Sequence, residues 1–175
     1  MQPENSTDDT QKKLGKGMIV AAWLCALLLL TLFFNNELEE QYNPNTNPQS
    51  KNTVNGAEVK LLRNRHGHYV STGTINAERV TFLLDTGATD VSIPANLANR
   101  LGLEPGAQHL VSTANGQIYV SSTRINELSI GDIRLFNVAA NINPGMQGEE
   151  ILLGMSALKQ LEFTQRGDQL TLRQY

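Results

Sequence analysis

Val80-Thr81-Phe82-Leu83-Leu84-Asp85-Thr86-Gly87-Ala88-Thr89-Asp90-Val91-Ser92-Ile93-Pro94 reads as an apolar strand that ends on an ionisable aspartate and turns at a glycine. Placing a carboxylate where the chain leaves a buried strand costs on the order of several kcal/mol unless hydrogen bonds or a functional partner offset it. That makes Asp85 a site candidate. The tripeptide alone also fits an ordinary turn in which the Asp side chain caps its own backbone. Two later segments narrow the choice. Val111-Ser112-Thr113-Ala114-Asn115-Gly116-Gln117-Ile118-Tyr119-Val120 sets two strand-like runs around Asn-Gly, a strong hairpin signal. Ile151-Leu152-Leu153-Gly154-Met155-Ser156-Ala157-Leu158 carries apolar residues and a glycine into a short helical stretch.

In this order the three segments resemble the aspartic proteases of retroviral type, the retropepsins. The Asp-Thr-Gly-Ala loop resembles their catalytic loop, the Asn-Gly hairpin their flap, and Leu-Leu-Gly their second hallmark. The resemblance implies that Asp85 is catalytic and binds the attacking water. It implies that Thr86 braces the loop through its hydroxyl, that Gly87 permits the tight backbone, and that Ala88 completes the motif. Leu153 and Gly154 would stand behind the loop, and Ala114, Asn115 and Gly116 would cover substrate. The family commonly has Asp-Asp after the loop, where this chain has Thr89-Asp90. Asp90 fits a substrate contact, a cap or a turn equally well. Met155 follows Gly154 where the family has Arg, which removes one ion pair that ties retroviral dimers together.

A pepsin-like enzyme needs two such loops, and this chain has one. The resemblance therefore implies a homodimer in which two Asp85 carboxylates meet on a two-fold axis. Carboxylates about 3 Å apart cannot both ionise cheaply, so they share one proton and activate a water between them. The expected activity is hydrolysis of extended peptide or protein substrates, with an acid-to-neutral optimum and no cofactor. The rival expectation is a membrane-tethered binding or scaffold module that keeps the fold and is catalytically silent.

The chain has 175 residues and a formal net charge of −3. Residues Met18 to Phe34 are almost wholly apolar, about 26 Å as a helix. No small-x-small cleavage pattern follows them, so they read as an uncleaved signal anchor. Lys12, Lys13 and Lys16 precede the segment and Glu37, Glu39 and Glu40 follow it, which keeps the N-terminus in the cytoplasm. The division expected is a cytoplasmic tail over 1–17, a span over 18–34, a flexible polar linker over 35–56 and a protease domain over 57–175. In a Gram-negative source the anchor lies in the inner membrane and the domain faces the periplasm. The whole pattern closely resembles that of membrane-anchored bacterial retropepsin-like proteases.

The only cysteine, Cys25, lies within the span, which removes cysteine-nucleophile and zinc-ribbon chemistry. His66-Gly67-His68, with only His109 elsewhere, makes a poor metal site, and none is expected. Lys and Arg nearly balance Asp and Glu over 57–175, so no basic field exists for nucleic acid.

Short β-like runs recur through the outer part: Glu58 to Leu62, His68 to Ile75, Val80 to Leu84, His109 to Thr113, Gln117 to Thr123, Arg124 to Ile130, Ile133 to Ile142, Ile151 to Leu153 and Gln169 to Arg173. Two short helices are expected, Pro94 to Leu101 and Met155 to Leu161. No βαβ alternation occurs. The fold class is all-β: a retropepsin-like closed β-barrel protomer with one or two short helices, preceded by a transmembrane helix.

Overall fold

The computed structural model describes residues 6–54, 56–113 and 116–175. The chain divides into two compact units, Met1–Glu39 and Glu40–Tyr175. The first is helical over its described residues. Helix α1 runs over Ser6–Tyr42, and its stretch from Gly15 is long and apolar enough to cross a membrane. Trp23, Leu24, Leu27, Leu28, Phe33 and Phe34 are all exposed, so the helix is apolar around its whole circumference, as a membrane span requires. It continues past Phe34 because Glu37 to Gln41 are good helix formers.

The second unit is built on strands. They are β1 (Gln49–Thr53), β2 (Gly56–Leu62), β3 (Val70–Ile75), β4 (Glu78–Leu84), β5 (Val91–Pro94), β6 (Gln108–Thr113), β7 (Gly116–Ile130), β8 (Ile133–Asn143), β9 (Glu150–Leu153), β10 (Glu162–Arg166) and β11 (Gln169–Gln174). One sheet has the order β3-β4-β9-β5-β8-β7-β6, and β7 also pairs with β3 through Thr74↔Ser129 and Ile75↔Leu128. Six strands thus close into a ring, and β6 stands on β7 as the outer arm of a hairpin. Closure needs a glycine. A Cβ at Gly73 would lie 2.2 Å from the Ser129 carbonyl oxygen and 2.7 Å from the Phe82 ring.

Strand alternation fills the ring. Val80, Phe82, Ile151, Leu153, Val91, Ile93, Ile125 and Leu128 are buried inside it. Thr81, Leu83, Glu150 and Leu152 lie on the opposite face and are half-buried. Beside the ring, β1-β2-β11-β10 form a four-stranded antiparallel sheet. Val59, Leu61, Leu170 and Leu172 join it to the core, and Lys51, Glu58, Arg173 and Glu162 form a charged row across it.

The expectation of a flexible linker over 35–56, with the domain starting at Ala57, is corrected. Asn43 and Asn45 are buried. Asn45 Nδ2 donates to the Leu62 and Val70 carbonyls at 2.8 and 2.7 Å, and its Oδ1 accepts from Leu62 N–H at 2.7 Å. Asn43 Nδ2 donates to Thr72 Oγ1 at 3.0 Å, and β1 adds an exposed edge strand. The composition misleads because an amide carries donors and an acceptor and can be buried where strand ends leave backbone groups unpaired.

The expected break between Thr123 and Arg124 is also absent. One 15-residue strand, β7, runs through it, held by β8 from Ser121 to Ile130. Pro94 closes β5, and only Ala95–Leu97 forms a 3₁₀ turn before irregular turns reach Leu101. The second helix, α2, is limited to Met155–Leu158.

Candidate active site

Asp85 leaves β4 in register. Leu84 N–H donates to the Tyr69 carbonyl at 3.0 Å and Asp85 N–H to the Leu153 carbonyl at 3.2 Å. The loop then folds on itself, with Gly87 N–H donating to Asp85 Oδ1 at 2.8 Å and Ala88 N–H to the Asp85 carbonyl at 3.2 Å. Asp85 is half-buried, and its second carboxylate oxygen has no hydrogen-bond partner among the described residues. The loop therefore orients the carboxylate with one oxygen and leaves the other free for chemistry.

The segment after β9 forms the floor. Met155 N–H donates to the Ala88 carbonyl at 2.8 Å and Ser156 N–H to the Thr89 carbonyl at 2.9 Å. Gly154 must be a glycine, since a Cβ there would lie 2.2 Å from the Asp90 carbonyl oxygen and 2.8 Å from that of Ala88. Leu153 is fully buried beneath the loop. Ser156 Oγ accepts from Val91 N–H at 3.0 Å and donates to the Ala139 carbonyl at 2.7 Å, so one hydroxyl ties β5 to β8 behind the site.

Thr86 and Gly87 are exposed, and Ala88 is half-buried. Asp90 is half-buried and its carboxylate makes no hydrogen bond or ion pair among the described residues, so the cap considered for it is not formed. Ala114 and Asn115 lie outside the described residues. Gly116 opens β7 at φ 110°, a backbone that favours glycine, and pairs with Thr113. Below it, Leu110 and Tyr119 form an exposed cross-strand pair.

Register reveals a row that reading by motif misses. Val70, Leu83, Leu152, Ser92 and Asn141 are successive partners across five strands and share one face. Leu83 precedes Asp85 by two residues, so Asp85 continues that face. Leu83 and Leu152 give a half-buried apolar shelf. Ser92, Asn141 and Asn143 end it as a buried polar group, with Ser92 Oγ donating to Asn141 Oδ1 at 2.7 Å and accepting from Asn143 Nδ2 at 3.4 Å. Both segments read as apolar runs in sequence, and only the pairing of Val80 to Leu84 with Glu150 to Leu153 shows which residues share the face.

On the face that carries Leu83 and Leu152, burial alone pushes the Glu150 carboxyl above its ordinary range. Among the described residues no three His, Cys, Asp or Glu side chains gather as a metal site.

A closed ring of strands with an Asp-Thr-Gly loop at the end of β4 and a Gly-led turn behind it defines a retropepsin-like protein. Residues 71–160 match the family model described as "gag-polyprotein putative aspartyl protease", and the chain belongs to that family. It is 30% identical over 178 residues to an uncharacterised Sinorhizobium protein encoded in the cobV 5′ region, covering 94% of this chain and 76% of that one. It is 27% identical over 119 residues to the uncharacterised protein RP867 of Rickettsia prowazekii, covering 66% of this chain and 50% of the relative. The crystal structure of a retropepsin-like aspartic protease from Rickettsia conorii superposes with a TM-score of 0.55 at 26% identity, over 73% of this chain and 94% of that one.

Proposed function

We propose that this chain is a membrane-anchored aspartic endopeptidase, active as a homodimer, that hydrolyses peptide bonds with a water activated by paired Asp85 carboxylates. The observation that carries this reading is Asp85 itself: one oxygen held by Gly87, the other free, on the face shared with the Leu83 and Leu152 shelf. One loop per chain supplies half a site, and a two-fold axis supplies the other half. The ionised carboxylate takes a proton from water while the protonated one donates to the scissile carbonyl oxygen. The water oxygen bonds to the carbonyl carbon, and the amine leaves after protonation, with no acyl-enzyme formed. Thr86 is exposed where the two loops meet in such a dimer and braces them, Gly87 allows their close approach, and Ala88 completes the turn. Asp90 and the hairpin residues Ala114, Asn115 and Gly116 contact the substrate strand.

The anchor reading rests on the apolar stretch of α1 and on the lysines before it and glutamates after it. It places residues 1–17 in the cytoplasm, spans the inner membrane with 18–34, and puts the protease unit on the periplasmic side. Confinement to a bilayer raises the effective concentration of protomers and offsets the ion pair lost with Met155.

The test is cleavage of a mixed peptide library by the full chain in detergent from about pH 3 to 7, read by mass spectrometry, against Asp85→Ala. Cleavage that disappears in the variant supports the reading. Dimers that cleave nothing would replace it with the silent binding module.

A further inference from the structure

Glu150 is a titratable group near the site that the mechanism leaves unused. It opens β9 opposite Thr81 and precedes Leu152 by two residues, so it stands on the half-buried face that carries Leu83, Leu152 and Asp85. Thr81 lies four residues before Asp85, about 13 Å along the strand, a distance that three or four residues of an extended peptide cover. Glu150 Oε2 is shut off from solvent and has no hydrogen-bond partner among the described residues. Arg79, two residues before Thr81 on the same strand, donates instead to the Thr46 carbonyl at 3.4 Å, and Glu150 has no ion pair among the described residues. Burial alone raises its carboxyl, with no neighbouring charge contributing. An acceptor held this way on an otherwise apolar and hydroxyl-lined face is costly unless a donor arrives from outside the chain.

We propose that Glu150 is a specificity-determining residue that receives a lysine or arginine side chain of the substrate, so that the protein selects peptides with a cationic residue three or four positions from the scissile bond. The inference rests on the endopeptidase reading and names its substrate class. Glu150 is only half-buried as a residue, and a turn of its side chain brings the orphaned oxygen to an ammonium or guanidinium group in a charge-assisted hydrogen bond, which a neutral side chain of the same length cannot form. The alkyl stem of the same side chain packs on Leu83 and Leu152.

The experiment uses the full chain in detergent and matched peptides that differ only by lysine or norleucine at each position around the cleaved bond. The kcat/KM ratio of lysine to norleucine peptides is measured for wild type and Glu150→Gln, and the same peptides are titrated by fluorescence anisotropy against Asp85→Asn with and without Glu150→Gln. A preference for lysine of about tenfold or more that collapses toward unity in Glu150→Gln, with a melting midpoint no lower than that of wild type, supports the inference. No preference for lysine, or one that survives Glu150→Gln, overturns it while Asp85-dependent cleavage stands. Lysine-selective binding that depends on Glu150 without any cleavage supports it and overturns the protease reading. Absence of both cleavage and lysine-selective binding overturns both.

Discussion

In the closed ring, β4 and β9 meet over four parallel pairs, and the inward residues Phe82, Ile151 and Leu153 are wholly buried. In the neighbouring sheet the row Lys51, Glu58, Arg173 and Glu162 crosses all four strands with alternating charge. The ring is held by apolar burial and backbone pairing, which respond little to pH or salt. The sheet adds side chains whose contribution depends on their ionisation. The site thus stands on the region held chiefly by burial, while the ion-paired row lies in the neighbouring sheet.

The largest effect should be one of activity alone. Asp85→Ala is expected to lower peptide cleavage by on the order of 10³-fold or more, with the melting midpoint nearly unchanged because Asp85 supports one hydrogen bond inside its own loop. A matched fall in stability would show that the loop, and not the ring, holds the structure together.

Next comes Asn45→Ala. It strands the Leu62 N–H and two carbonyls at the joint between β2 and β3, and about 3 kcal/mol of unfolding free energy should be lost in urea titrations. The same logic makes a fragment beginning at Lys51 much less stable than one beginning at Glu40. Equal stability of the two fragments would restore the linker reading.

Gly154→Ala acts on the ring side of the comparison. Its Cβ meets the Asp90 and Ala88 carbonyl oxygens, so the floor must shift, at a cost of about 2 kcal/mol. Cleavage should fall by more than that loss of stability explains, which kinetics at saturating folded protein would reveal.

The smallest effect separates the two regions by pH. The Arg173 hydrogen bond, then that of Lys51, holds the Glu58 carboxyl below its ordinary value of 4.5. The stability it contributes is present above the unfolded value and is lost as pH falls through the folded one. Glu150 has the opposite sign: its carboxyl is raised, so its contribution is present below the unfolded value and lost as pH rises through the folded one. Melting midpoints across the acidic range should flatten in opposite senses in Glu58→Gln and Glu150→Gln. Parallel curves would mean that the two carboxyls share one environment.

The same contrast explains what could be read in advance. Val80 to Leu84 announces a strand as a short apolar run, and the Asp-Thr-Gly turn after it has few other uses beside the Leu-Leu-Gly segment. The ring and its loop were therefore legible. By contrast Gln49-Ser50-Lys51-Asn52-Thr53 has no apolar residue and is exposed throughout; only its pairing with β2 makes it a strand. Glu162 to Arg166 is a similar edge. Val91 to Pro94 is too short to show a period, although β8 and β9 on its two sides fix it. The role of Glu150 was hidden because its burial comes from strands paired across most of the domain.

The parallel pairing of β4 with β9 also sets an order of events. It joins segments about 70 residues apart, among the slowest kinds of contact for a chain to find. Asp85 lies in the first half of the outer unit, but the backbone that fixes its loop, Leu153 to Ser156, comes about 70 residues later. A chain still being made carries the aspartate without the floor that shapes it. Competence at the site is thus a late product of folding, acquired only when the ring has closed.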